Sequence, residues 1–267
     1  IGERLRREAL GNVSIRIEPT DSPEVFEVAG RGEMQIGVLI ETMRREGYEF
    51  SVSRPEIITR DVDGVRCEPV EDVVAEVPEG CAGAVMEKLS QRRARLTLME
   101  QRGGTSVMHF VAQSRGLFGY RSDFLSDTRG EGILHRTVRG YEPWSGDLPT
   151  RANGAIVATE AGETTAYALW KIQERADLFV GPAVPCYEGM IVGESRRPGD
   201  MNVHVGRAKK LTNIRAAGKD ENMVLVPPRQ HTIETALGWI AEDELLEVTP
   251  KSLRLRKKAL SASLRKR

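Results

Sequence analysis

Cysteine is scarce in this 267-residue sequence, and its three cysteines are scattered as Cys67, Cys81 and Cys186. No CxxC pair occurs, so neither a zinc ribbon nor a disulfide framework is predicted, and a reducing cytoplasm is the expected setting. Long apolar runs are missing too, since none approaches the roughly 18 residues of a membrane span. The first ten residues, IGERLRREAL, are charged rather than signal-like. Because they do not begin with Met, we expect an excised region of a longer protein.

Signatures of catalysis are equally sparse. The string GxxxxGK[ST] of a nucleotide-binding P-loop occurs nowhere in the sequence. The four histidines are isolated from one another, and no cluster of metal ligands or Ser/His/Asp arrangement stands out. We interpret His109 as a packed strand residue and the run Glu242–Glu244 as a solvated helix end or a partner for the basic tail. An enzyme is therefore the least favoured of the functional classes.

Positive charge is concentrated near the C-terminus, although the net charge is +0. Residues 206–219, GRAKKLTNIRAAGK, include five basic residues and no acidic one, and residues 251–267 include eight and none. Such asymmetry is typical of proteins with a polyanionic partner. Solvated surface that only keeps the chain soluble is the alternative for each cluster.

Hydrophobic periodicity predicts an α+β protein of three domains. Residues 1–62 follow the order helix, strand, strand, helix, strand, and residues 63–143 the order βαββαβ, with Gly103-Gly104 as a hairpin turn. The second pattern is that of a ferredoxin-like sandwich, and the first is the same sandwich without its first strand. Residues 144–267 predict a mainly β domain with one short helix from Thr232 to about Ala241, N-capped by Thr232, and a long basic loop.

The stretch Gly30-Arg31-Gly32 resembles a phosphate-binding turn between a strand and a helix. A dinucleotide fingerprint needs a third glycine where Gln35 stands, and nucleotide loops belong to parallel βαβ units rather than to a hairpin. We interpret this stretch as a joint in which both glycines allow a tight reversal, while Glu33 favours the helix N-terminus.

Three long strings resemble one family. GRGEMQIGVLIETMRREGYEFSVSRPEII is similar to the third domain of translational GTPases such as elongation factor G, and SRGLFGYRSDFLSDTRGEG to their fifth domain. CYEGMIVGESRRPGDMNVHVGRAKKLTNIRAAGKDENMVLVPPR resembles the C-terminal domain peculiar to the BipA family, also called TypA. The resemblance covers essentially the whole chain and implies the C-terminal part of such a protein, without its G domain and β-barrel domain.

The basic residues give the predicted RNA-binding positions. The segment 206–222 has too little apolar material to pack a core, and its Arg and Lys side chains suit phosphates better than bases, because few aromatics interleave them. The resemblance implies that its loop reaches the acceptor end of transfer RNA. The predicted RNA-binding residues are Arg207, Lys209, Lys210, Thr212, Asn213, Arg215 and Lys219 in the loop, Arg254, Arg256, Lys257 and Lys258 in the tail, and Arg115 and Arg121 beside a helix N-terminus.

Partners and cofactors follow from the family. The resemblance implies a ribosome-binding region that docks in the factor site, contacts ribosomal RNA and A-site transfer RNA, and serves large-subunit assembly and stress adaptation. GTP and Mg²⁺ would belong to the missing G domain, so we expect no cofactor and no GTP hydrolysis in this chain, and no membrane partner. A tandem ferredoxin-like module that binds a regulatory small molecule is the alternative.

Overall fold

The computed structural model of the chain describes residues 1–146, 148, 151–207 and 224–265. The chain separates into two compact units, one of Ile1–Arg54, Arg151–Ala236 and Ile240–Arg267, the other of Pro55–Thr150 and Leu237–Trp239. Within the described ranges, no helix is both long and apolar enough to cross a membrane. The predicted limits of the three domains remain predictions.

The N-terminal segment folds in the predicted order of elements. These are α1 (Gly2–Gly11), β1 (Arg16–Pro19), β2 (Phe26–Ala29), α2 (Glu33–Arg45) and β3 (Phe50–Ser53). β1 and β2 form an antiparallel pair. Leu5, Ile15, Leu39 and Met43 form a buried core between the helices and this pair, as the helical spacing of the apolar residues in α2 predicts.

The turn between β2 and α2 is a joint, as predicted, but only one of its glycines lies in a crowded position. A Cβ on Gly30 would lie 2.9 Å from Cδ1 of Ile36, so a side chain would crowd the turn. Gly32 has an extended backbone with φ of 171°, and a Cβ there would meet no atom within 4 Å. The expectation that both glycines serve the reversal is therefore wrong for Gly32.

The second unit contains a complete ferredoxin-like sandwich. Its elements are β4 (Arg60–Val62), β5 (Val65–Pro78), α3 (Ala82–Gln91), β6 (Arg95–Arg102), β7 (Thr105–Gln113), α4 (Tyr120–Asp127) and β8 (Ile133–Pro143). The four long strands are antiparallel in the order β8-β5-β7-β6. Gly103 and Gly104 both have positive φ and make the predicted hairpin turn. The predicted βαββαβ order is confirmed.

The third segment is mainly β, also as predicted. Its elements are β9 (Ala155–Ala158), β10 (Gly162–Glu163), α5 (Ala166–Ile172), β11 (Ala176–Leu178), β12 (Pro185–Cys186), β13 (Met190–Ser195), β14 (Met201–Val203), α6 (Ile233–Trp239), β15 (Glu244–Val248) and β16 (Leu253–Lys257). The predicted cap of α6 is present, because the Thr232 hydroxyl accepts from the backbone N–H of Thr235 at 3.2 Å. The sequence TTAYALWKI predicts a β-like run, and this prediction is wrong, because Ala166–Ile172 form the helix α5.

One strand of the N-terminal segment joins the sheet of the third. The order in that seven-stranded sheet is β14-β9-β13-β16-β15-β3, with β11 also paired to β13. β3 therefore pairs with β15 and not with β1 or β2. In the second unit the last strand, β8, pairs with the first, β5.

Candidate nucleic-acid interface

The structure describes seven of the thirteen predicted RNA-binding residues. The other six, all in the loop, lie outside the described residues: Lys209, Lys210, Thr212, Asn213, Arg215 and Lys219. Arg207, the last described residue before them, is exposed. The structure therefore describes this loop only at its two ends, Arg207 and Val224.

Both ends of the loop are bound to α5. At the N-terminus of this helix, the hydroxyl of Thr165 donates to the carbonyl oxygen of Arg207 at 2.7 Å and accepts from the N–H of Ala168 at 3.2 Å. At the C-terminus, the amide of Gln173 donates to the carbonyl oxygen of Val224 at 2.8 Å and accepts from the N–H of Val226 at 3.0 Å. One short helix thus holds the chain where it enters and where it leaves residues 208–223.

α5 is itself held by the core of the third segment. Leu169 is 0% exposed and Ala168 4%, and the half-buried Ile172 packs on a cluster that includes Ile156 and Val192. The chain then continues into β11, which pairs with the central strand β13. The anchors of the loop are consequently attached to the sheet.

An ion cluster around the buried Lys257 fixes the strand that leads to the loop. The Lys257 side chain is 3% exposed, and its ammonium lies 2.5 Å from Asp200, 2.8 Å from Asp243 and 2.9 Å from Glu244. Arg151 contacts the same Glu244 carboxylate at 2.9 and 3.0 Å. Asp200 immediately precedes β14 and also accepts from the N–H of Ala155 at 2.7 Å. The cluster therefore ties β16 to the start of β14.

In this cluster the pKa of Lys257 is raised and the pKa of Asp200 is lowered. Burial by itself lowers the pKa of Lys257, but its hydrogen bonds to Asp200 and Asp243 and the charge of Glu244 raise that pKa above its usual value. Burial raises the pKa of Asp200, but the bonds from Lys257 and from the N–H of Ala155 hold it below its usual value. The charge of Lys257 is thus balanced inside the protein, and its predicted RNA contact receives no support from this geometry.

The other tail residues differ in what they leave exposed. Arg256 is half-buried and lies 3.0 Å from Glu247. Arg254 and Lys258 are exposed, and neither has an ion-pair partner among the residues that the structure describes. Of the tail, Arg254 and Lys258 are therefore the cations best placed for a phosphate.

Arg115 and Arg121, predicted together, have different surroundings. Arg115 lies in a 3₁₀ helix, Ser114–Leu117, not in the first turn of α4. Its guanidinium contacts the carboxylate of Glu68 at 2.5 and 3.0 Å and lies 3.9 Å from the centre of the Trp144 ring. The guanidinium of Arg115 is therefore paired inside the protein, and its predicted RNA contact stays a prediction. Arg121, in the first turn of α4, is exposed.

Histidines and acidic residues build no metal centre in the described ranges, where no group of three or more possible ligands comes together. His109 lies half-buried in β7, as interpreted from the sequence. His231 packs edge-on against Phe179, with ring centres 4.5 Å apart. Burial, together with the charge of Arg229, lowers the pKa of His231 to about 4, which keeps this imidazole neutral at neutral pH.

Comparison with known proteins identifies the family. The sequence profile of the TypA/BipA C-terminal domain matches residues 153–262, and that of the elongation factor G C-terminus matches residues 65–152. The chain belongs to the BipA/TypA family. The family resemblance read from the sequence strings is thereby confirmed, and the profile of the C-terminal domain includes α5 and the loop.

Curated relatives extend this match over the whole chain. Proteins named large ribosomal subunit assembly factor BipA are 48% identical over 97% of this chain in Synechocystis sp. and 45% identical over 100% in Bacillus subtilis. The relative of the same name in Escherichia coli K12 is 44% identical over 99% of the chain. In each case the chain spans 44% of the length of the relative.

Sequence reasoning missed some of the acidic partners that decide which of the predicted cations are exposed. Glu68 and Asp200 were not singled out, although Glu68 is fully buried. The run Glu242–Glu244 was interpreted as a solvated helix end or a partner for the basic tail, and its Asp243 and Glu244 do contact Lys257 of that tail. A signal existed for Lys257, because a period of two places it on the same face of β16 as Leu253 and Leu255. For α5, the signal was a threonine cap followed by Ala168, Leu169 and Ile172 at helical spacing.

Proposed function

We propose that this chain is a ribosome-binding region that acts on the large ribosomal subunit during its assembly. The names of the relatives support the choice of partner. The observation that carries the proposal is a basic loop with anchored ends. Residues 206–219 include five cations and no acid, and both ends of this loop are hydrogen-bonded to the ends of α5. A ribosomal partner implies that the protein works in the cytoplasm, and stress adaptation is the wider role we attach to it.

The proposed contacts are made to RNA phosphates. Arg and Lys bind phosphates through charge-assisted hydrogen bonds, and base stacking would need aromatic side chains that the loop does not have. Loop residues Arg207, Lys209, Lys210, Thr212, Asn213, Arg215 and Lys219 are proposed to meet the acceptor end of A-site transfer RNA. Arg254, Lys258 and Arg121 are proposed to meet ribosomal RNA, and Arg256 a phosphate only at its exposed edge.

GTP hydrolysis, with the GTP and Mg²⁺ that it needs, is proposed for other parts of the full-length protein. The P-loop string is missing from the sequence, and Gly30-Arg31-Gly32 follows an antiparallel hairpin, not a parallel strand. In this proposal, binding of this region to the ribosome influences GTP hydrolysis in the rest of the protein by positioning it on the ribosome.

Binding to separated ribosomal subunits tests the proposal. We expect the chain to co-sediment with isolated large subunits at low salt and to bind small subunits more weakly. Equal binding to both subunits, or to neither, would contradict the assignment to the large subunit. The control is an equal amount of a variant whose five loop cations are changed to Ala, which shows how much of the binding depends on the charge of the loop.

A regulatory small-molecule module is the second candidate. A cleft of about 520 Å³ lies beside α2, with Met34, Val38 and Leu39 among its lining residues, and the exposure of Met34 and Val38, 48% and 61%, gives it an apolar wall. This function predicts that a metabolite raises the melting temperature of the chain, and that Val38→Asp abolishes the shift. No shift with any member of a metabolite library would remove this candidate.

A further inference from the structure

Gln173 holds the end of the basic loop at a place where apolar packing contributes little to holding the chain. The side chains of Val224 and Val226 are 71% and 66% exposed, so hydrophobic burial contributes little to their position. The amide of Gln173 uses its donor on the carbonyl of Val224 and its acceptor on the N–H of Val226. A single side chain thereby replaces the pairing that a neighbouring strand would provide.

Thr165 does the same at the beginning of the loop. Its hydroxyl caps α5 by accepting from Ala168 and, as a donor, binds the carbonyl oxygen of Arg207. Its own N–H donates to the carbonyl of Val205 at 3.0 Å. The two anchors lie at opposite ends of one helix, so the separation of the loop ends is set by the length of α5.

We infer that Thr165 and Gln173 are positioning residues that set the RNA affinity of the basic loop without touching RNA. The inference rests on the proposed function. A segment whose ends are fixed loses less conformational freedom when it binds than one whose ends fray. Loss of an anchor therefore weakens binding while the number of phosphate contacts stays the same.

The salt dependence of binding separates positioning from contact. Each phosphate contact contributes to the slope of the logarithm of affinity against the logarithm of salt concentration, because cations are released from the RNA. For Gln173→Ala we expect ribosome affinity to fall by about 3- to 10-fold, the range of one or two hydrogen bonds, with the native salt slope retained. Gln230→Ala is the matched control, since Gln230 is exposed and has no hydrogen-bond partner among the described residues.

A double variant tests whether Gln173 acts through the loop. In a chain whose Arg207, Lys209, Lys210, Arg215 and Lys219 are already Ala, Gln173→Ala is expected to change affinity no further. A loss that persists in that background would mean a general effect on folding and would overturn the inference. For Thr165, Thr165→Val is expected to weaken binding and Thr165→Ser, which keeps the hydroxyl, to restore it.

The outcomes distinguish the inference from the function on which it rests. If the native chain binds ribosomes and Gln173→Ala binds as well as Gln230→Ala does, the positioning role is wrong and the proposed function stands. If Gln173→Ala reduces the salt slope, Gln173 contacts RNA and the inference is also wrong. If the native chain does not bind ribosomes at any salt concentration, both fail together.

Discussion

Arg115 donates two hydrogen bonds to the carboxylate of Glu68, a residue with no exposure to solvent. Burial raises the pKa of Glu68, but the bonds from Arg115 and from the N–H of Ser145 hold it below its usual value. Arg115→Met leaves this charge buried without its cation, so we expect the free energy of unfolding to fall by about 3–5 kcal/mol. Urea denaturation measures it, and Arg121→Met, at an exposed position, is expected to change stability by less than about 0.5 kcal/mol.

Lys257 is expected to behave in the same way in the other unit. Lys257→Met removes the ammonium that Asp200, Asp243 and Glu244 share, but the buried Glu244 keeps Arg151 and the other two carboxylates are exposed to water. We therefore expect a smaller loss than for Arg115→Met, about 1–3 kcal/mol. The pKa of Asp200 is lowered in the folded state, so its contribution is present above its unfolded pKa and is lost as pH falls through the folded value.

The deficit of Lys257→Met should therefore be largest at neutral pH and shrink as the pH falls below the unfolded pKa of Asp200, about 3.9. Unfolding curves at pH 7 and pH 3 measure it, with Lys258→Met as the control for an exposed lysine one residue away. An equal, small effect of both variants would show that the ion cluster does not stabilise the fold.

His231 predicts a separate dependence on pH. Its pKa is about 4 in the folded chain and about 6.5 in an unfolded one, so the unfolded state binds a proton first as pH falls. The groups that face it are Arg229 and Glu194, which pair with each other at 2.6 Å. Stability that is present above pH 6.5 is thus lost progressively toward pH 4.

His231→Phe, which keeps the ring against Phe179, is expected to remove this loss. Relative to that variant, the native protein should lose up to about 2 kcal/mol between pH 7 and pH 5. Thermal unfolding of both proteins across this range measures the difference, and parallel curves would contradict the buried neutral imidazole.

Gly154 lies where the chain leaves no space for a side chain. A Cβ there would lie 1.8 Å from the carbonyl oxygen of Gly199, a backbone atom. Gly154→Ala must therefore displace the turn before β14 and is expected to cost about 3 kcal/mol or more. At Gly162 a Cβ meets nothing within 4 Å, so Gly162→Ala should stay within about 0.5 kcal/mol. Equilibrium unfolding of the two variants gives the comparison.

The sequence predicted elements best where local signals agreed. The βαββαβ order of the second unit follows from alternation in β5 and β7, helical spacing in α3, and the Gly103-Gly104 turn. α5 was missed because Tyr167 and the two preceding threonines, Thr164 and Thr165, favour strands. The cap at Thr165 and the burial of Leu169 make the segment a helix. The partner of β3 depends on pairing over about two hundred residues, which no local pattern encodes.

The candidate interface was predicted by charge, and charge alone does not show which cations are available. Lys257 and Lys258 are adjacent and identical in type, but one is buried among three carboxylates and the other is exposed. The sequence contained the alternation that separates them, but one acidic partner, Asp200, lies 57 residues earlier in the chain (257 − 200), and the others lie at the start of the neighbouring strand β15. Tertiary contacts therefore decide which of the predicted residues remain candidates.

Ribosome co-sedimentation over a series of salt concentrations tests the central claim most directly. We compare the native chain with a variant in which Arg207, Lys209, Lys210, Arg215 and Lys219 are Ala, and with a charge-matched variant in which exposed Arg6, Arg7, Arg16, Arg31 and Arg45 are Ala. The account predicts a steep native slope, reduced by roughly 0.7 to 0.9 for each loop contact removed, and a native slope for the charge-matched variant. Identical slopes for the native chain and the loop variant would contradict phosphate binding by the loop.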